Sequence, residues 1–213
     1  MLTLFDYLPS QNAWKVRQLL NHLQRPYRTE LVSIFEGEGK TDAYRRINPT
    51  GSVPAIRLEN GCVLAESNAI LGYLAEGTPY LPDDSFGRAK VQQWLFFEQQ
   101  YVEPMIGSLR FWTMTGKLPH RSAPMIKARR SGSLKALQIL NVELATRAFI
   151  AGDRYTIADL SLFAYASRAE EAGLSLQPYP AFRQWITRVQ EQPGFLAEIY
   201  PYSIDPHSVK ELG

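Results

Sequence analysis

Val53-Pro54-Ala55-Ile56-Arg57-Leu58 and Cys62-Val63-Leu64 flank Glu59-Asn60-Gly61, and Glu66-Ser67-Asn68 follows directly. An Asn-Gly pair between apolar runs is the strongest short-range hairpin signal. Two antiparallel strands are therefore expected. Glu66-Ser67-Asn68 then opens a helix with Ala69, Ile70, Tyr73 and Leu74 at helical spacing, which stops at Gly77-Thr78-Pro79.

Upstream of the hairpin, Leu2, Leu4 and Phe5 read as a strand stopped by Pro9-Ser10. From Asn12 on, Ala13, Val16, Leu19, Leu20 and Leu23 recur at helical spacing and end before Pro26. Residues 27–32 read as a second strand, 35–41 as a polar loop and 42–47 as at most a short helix. The order over residues 1–77 is β-α-β-α-β-β-α. Residues 78–86, rich in Pro, Gly and Asp, read as a linker, and residues 87–213 as a helical domain. There, Val91, Trp94, Leu95, Tyr101, Val102, Met105, Leu109 and Trp112 suggest one face of a long helix that Pro104 should kink. Ile126, Leu134, Leu137, Leu140 and Leu144 mark another helix. Thr156-Ile157-Ala158-Asp159 resembles a capping box, and residues 182–189 with a short segment after Pro193-Gly194 complete the set. The fold class expected is α/β plus all-α.

The 213 residues are 45% hydrophobic and 21% charged, which is ordinary globular usage. No run approaches the roughly 20 apolar residues of a membrane span, and the first residues lack a signal-peptide pattern, so a cytoplasmic protein is expected. A single cysteine, Cys62, excludes an internal disulfide framework and a thiolate zinc site. With His22, His120 and His207 scattered, no metal is expected. A net charge of +2 points to no nucleic-acid partner. Between Glu103 and Glu143, however, there is no acid, while Arg110, Lys117, Arg121, Lys127, Arg129, Arg130 and Lys135 are all basic. That stretch reads either as a solvated helical hairpin or as a face for an anion or a second subunit. Gly39-Lys40-Thr41 fails as a phosphate loop because position 34 is isoleucine, and Glu170-Glu171 reads as a solvated face. Cys62 reads as a packing residue.

Four features remain in order: Ser10-Gln11-Asn12 at a helix start, Lys40 in a polar loop, Val53-Pro54 at a strand start and Glu66-Ser67 at another helix start. Unpaired amides and about half a positive charge make such helix starts suited to a carboxylate. Taken alone, Ser10 and Ser67 would be plain N-caps. Together with Asn48-Pro49-Thr50-Gly51-Ser52-Val53-Pro54-Ala55-Ile56 and Leu64-Ala65-Glu66-Ser67-Asn68-Ala69-Ile70, the layout resembles the cytosolic glutathione S-transferase family, and Ser10-x-Asn12 resembles its bacterial serine-type members.

The resemblance covers essentially the whole chain and implies a thioredoxin-like N-terminal domain followed by an all-helical domain. It implies glutathione as co-substrate, with Ser10 and Asn12 as catalytic residues and Lys40, Ser52, Val53, Pro54, Glu66 and Ser67 binding the peptide. The Val53-Pro54 bond should be cis. Tyr7, near the end of the first strand, is the rival thiol activator. A hydrophobic electrophile would meet residues of the second domain, with Arg110, Phe111, Trp112 and Met114 as candidates. Because glutathione is an anion and the surplus of positive charge lies in the acid-free stretch, Arg129 or Arg130 is expected at the mouth of the glutathione site. The resemblance also implies a homodimer. The activity expected is attack of the glutathione thiolate on an electrophile. The alternatives are glutathione-dependent disulfide reduction and a non-catalytic binding module of the same fold.

Overall fold

The computed structural model describes residues 1–212, which divide into two units: residues 1–76 with 193–212, and residues 77–192. In the first unit, β1 (Leu2–Asp6), β2 (Tyr27–Leu31), β3 (Ala55–Arg57) and β4 (Val63–Ala65) form one sheet in the order β2-β1-β3-β4. β1 and β2 are parallel, with Leu2 opposite Tyr27 and Asp6 opposite Leu31, while β3 is antiparallel to β1 and β4. Parallel neighbours need a crossover, which α1 (Gln11–His22) supplies. Every residue of β1 is buried, as a central strand requires. With α2 (Asp42–Arg45) and α3 (Ser67–Ala75), the unit is thioredoxin-like.

The hairpin turns where Asn60-Gly61 stands: Gly61 has φ +86°, and the Leu58 N–H donates to the Cys62 carbonyl at 2.8 Å. Cys62 is a correction to the sequence reading. It sits beside the tip of the turn, before a strand whose first residue, Val63, is itself exposed, and is open to solvent.

The second unit is helical, with α4 (Ser85–Phe97), α5 (Ser108–Met114), α6 (Ala123–Leu144), α7 (Ile157–Ala166) and α8 (Pro180–Gln190). Pro104 does not interrupt the path from α4 to α5. The residues between, Glu98–Gly107, form a π-helical segment instead, whose wider turn accommodates the missing N–H of Pro104. The wider turn also shifts the helical phase. Val102 and Ile106 enter the core, while Tyr101 stays outside with its ring 5.2 Å from that of Phe97. On α6 the buried stripe is Ser133, Ala136, Leu137, Leu140 and Leu144, and Leu134 is exposed rather than inward.

Residues 193–212, which the sequence groups with the helical domain, pack on the first unit instead. The Trp14 indole donates to the Leu196 carbonyl, Gln18 bonds both Gly194 and Leu196, and Phe195 lies edge-on to Trp14. Polar side chains along one face of α1 hold the segment in place.

The capping box of α7 forms as expected. Asp159, completely buried, accepts from the Ile150 and Thr156 amides, the Thr156 hydroxyl and the Trp185 indole at 2.7–3.1 Å. Burial pushes its carboxyl up to about 6, against the pull of these donors. Asp159→Ala strands the donors in a dry interior and should cost about 3–5 kcal/mol in denaturant unfolding, whereas Asp159→Asn, which keeps one acceptor, should cost less.

Candidate functional site

Helix α1 begins at Ser10. Its hydroxyl oxygen accepts from the Ala13 N–H at 3.2 Å, the ordinary capping bond, and this leaves the O–H hydrogen as a donor. Helix α3 begins one residue after Glu66, whose φ of +67° is rare outside glycine. No side chain caps α3, so its first amides remain oriented outward from the helix start. The two helices pack on each other, and a hydrogen bond from the Ser67 hydroxyl to the side-chain Oδ1 of Asn12 at 3.2 Å ties their first turns together. Ser10, Asn12, Glu66 and Ser67 are thus brought to one place.

The segment before Val53 is held by its neighbours. The Tyr44 hydroxyl and the Asn48 amide both donate to the Ser52 carbonyl, at 2.8 and 2.7 Å. The Val53-Pro54 bond is cis. Val53 lies outside β3, and its backbone N–H and C=O make no hydrogen bond among the described residues. Lys40 is exposed in its loop, and that loop is set by two glycines: a Cβ built on Gly39 would collide with the Gly51 carbonyl. The close approach brings residues 37–41 against 49–53. Sequence reading missed this pair, since Gly39 and Gly51 carry no periodic signal.

Tyr7 is buried, and its hydroxyl donates to Asp205 at 3.0 Å. Burial, reinforced by Asp205, drives the phenol above its usual range. Its ring packs edge-on to Phe35 and near Tyr202.

Two domain models of one family match the chain: glutathione S-transferase, N-terminal domain, over residues 9–76, and glutathione S-transferase, C-terminal domain, over residues 95–193. The chain belongs to the glutathione S-transferase family. It is similar to the glutathione S-transferase from Pseudomonas fluorescens Pf-5, at 36% identity and TM-score 0.89 over 92% of this chain and 97% of that one. The disulfide-bond oxidoreductase YfcG of Escherichia coli K12 is 28% identical over 88% of this chain and 90% of its own length. A glutathione transferase from Burkholderia graminis, solved with two glutathione molecules per subunit, is 28% identical with TM-score 0.79 over 91% of this chain and 85% of that one.

Within this glutathione S-transferase chain, the candidates read from the second domain divide. Arg110 is a correction: at 1% exposure, its Nε donates to Glu171 at 2.6 Å, so it serves an internal ion pair rather than an open anion contact. Glu171, read as solvated, is its partner. Phe111 and Trp112 are half-buried under the cations of Lys117 and Arg121, while Met114 is exposed. Arg129 is half-buried against the Met105 sulfur at 3.7 Å, and Arg130 is exposed. No helix among the described residues is long and apolar enough to cross a membrane.

Gly39→Ala should destabilise the chain by about 1–3 kcal/mol in denaturant unfolding, because backbone must move to admit the methyl group. Gly72→Ala, inside α3 with nothing within 4 Å of the added carbon, should be neutral or stabilising by up to about 1 kcal/mol.

Proposed function

We propose that the chain binds glutathione at the paired starts of α1 and α3, ionises its thiol and directs the thiolate at an electrophilic, largely apolar small molecule. The observation that carries this is the Ser10 hydroxyl, which accepts its capping bond through oxygen and keeps its hydrogen to donate, at a helix start tied to a second one by Ser67 and Asn12. The glutathione bound in the Burkholderia graminis relative supports the choice of ligand.

Each residue has a task in this reading. The α3 amides and Ser67 receive the γ-glutamyl carboxylate, and exposed Glu66 receives the ammonium. The unpaired Val53 backbone pairs with the cysteinyl residue, with Pro54 fixing its direction and Ser52 beside it. Lys40 faces the glycyl carboxylate. Ser10 donates to the sulfur, and Asn12 supports it while tying Ser67. A thiol has a pKa near 8.5, and lowering it by two units takes about 2.7 kcal/mol. A hydrogen bond to a charged group contributes about 1.5–3 kcal/mol and a helix start about 0.3–1, so one aimed hydroxyl is enough and serine never ionises. Tyr7 is disfavoured because its proton is already given to Asp205.

A second reading uses the same thiolate. Attack on a disulfide forms a mixed disulfide and releases one thiol; a second glutathione then displaces the other thiol and leaves as oxidised glutathione. The resemblance to YfcG favours this alternative, and a substrate panel of electrophiles and disulfides with glutathione present and absent distinguishes the two.

The proposed assembly is a homodimer, supported by Phe86 and Phe96 at 74% and 72% exposure on α4 with exposed Val142 on α6. Light scattering should give twice the chain mass of 24.2 kDa at micromolar concentration, and a monomer contradicts this. Ser10→Ala should raise the pH midpoint of the bound thiolate absorbance by about one to two units, or about 1.4–2.7 kcal/mol, with little change in glutathione affinity. Tyr7→Phe should leave that midpoint in place; the reverse pattern would transfer the role to Tyr7.

A further inference from the structure

Ser10 is carried by the short turn that joins β1 to α1, and that turn is gripped from below by a charge pair. Arg17 stands seven residues after Ser10, two turns along α1. Arg17 is 8% exposed and Asp6, at the end of β1, is 0% exposed. One nitrogen, Nη1, donates to both carboxylate oxygens of Asp6 at 2.8 and 2.7 Å, while Nη2 donates to the Leu8 carbonyl at 2.9 Å. The fork thus spans a strand end and a turn. The Ser10 N–H closes the turn onto the Tyr7 carbonyl at 2.8 Å, and the Tyr200 ring lies 5.8 Å from the guanidinium carbon.

We infer that Arg17, locked by Asp6, is a positioning residue for Ser10: by holding the Leu8 carbonyl it sets where the Ser10 hydroxyl points. The inference rests on the reading of Ser10 as donor to the sulfur.

Three arguments support it. A buried ion pair contributes little net stability, because desolvating both charges offsets their attraction, and apolar residues of similar volume often replace such a pair without loss. Stability alone therefore does not explain it. What an apolar pair cannot do is donate to Leu8, and of the two cationic side chains only arginine presents several N–H groups in a rigid plane that reaches two acceptors at once. Finally, a hydrogen bond weakens steeply as its angle departs from linear, so the thiolate would sense a rotation of the turn that the packing of the core would tolerate.

The test compares wild type with Asp6→Leu/Arg17→Met, Arg17→Lys and Ser10→Ala, measuring melting temperature, glutathione affinity by calorimetry and the pH midpoint of the bound thiolate absorbance. The double variant strands no charge, so it should fold and bind glutathione within about threefold of wild type. Its midpoint should rise by about half a unit to one unit. Arg17→Lys, which keeps the charge but not the planar fork, should rise by a smaller amount; if the double variant does not fold, this single change decides. Midpoints within about 0.2 units of wild type, while Ser10→Ala moves, would reduce Arg17 to packing and leave the serine reading intact. An immobile midpoint in Ser10→Ala would overturn the serine reading and this inference with it.

Discussion

The first amides of a helix have no partner within it, and the site is built around two such ends brought side by side. The sheet order imposes the arrangement: β1 lies between β2 and β3, so the helix that leaves β1 and the helix that follows β4 share one neighbourhood. A hydrogen bond from the Ser67 hydroxyl to the Asn12 side-chain oxygen ties their first turns. The neighbouring chain is shaped by its own contacts. Gly39 and Gly51 bring the Lys40 loop against residues 49–53, and the two donors on the Ser52 carbonyl hold the approach to Val53.

What the sequence revealed and what it hid follow from the range of each signal. Asn60-Gly61, the Thr156–Asp159 box and the apolar spacing of α1 and α8 act within one or two turns of chain, and each stands where it was read. The candidate residues on the starts of α1 and α3 were legible because a family resemblance singled them out, not because serine near a helix start is unusual. Contacts beyond that range left no local trace. Arg17 with Leu8, Tyr7 with Asp205 and Arg110 with Glu171 each join residues whose spacing has no periodic meaning. The π-helical segment misled for a different reason: its wider turn changes the period itself, so a pattern counted at 3.6 residues per turn placed Tyr101 inside.

The acid-free stretch between Glu103 and Glu143 also reads differently once its cations are placed. Arg110 answers Glu171, which lies 61 residues away in the chain. Lys117 and Arg121 sit over the rings of Phe111 and Trp112, at 4.6 and 5.3 Å. Their charges face carboxylate or aromatic partners within the helical unit, so sequence counting overstates the positive surface there.

The segment 193–212 closes the first unit although residues 77–192 lie between them in the chain. A polypeptide leaves the ribosome in order, so β1, α1 and the rest of residues 1–76 emerge long before the stretch that covers Trp14 and Gln18. Until then that face of α1 stays wet. The first unit therefore finishes folding only after the helical unit has been synthesised, and the thioredoxin-like part cannot be excised at residue 76 as a self-sufficient module without exposing the indole and amide groups that residues 193–196 cover.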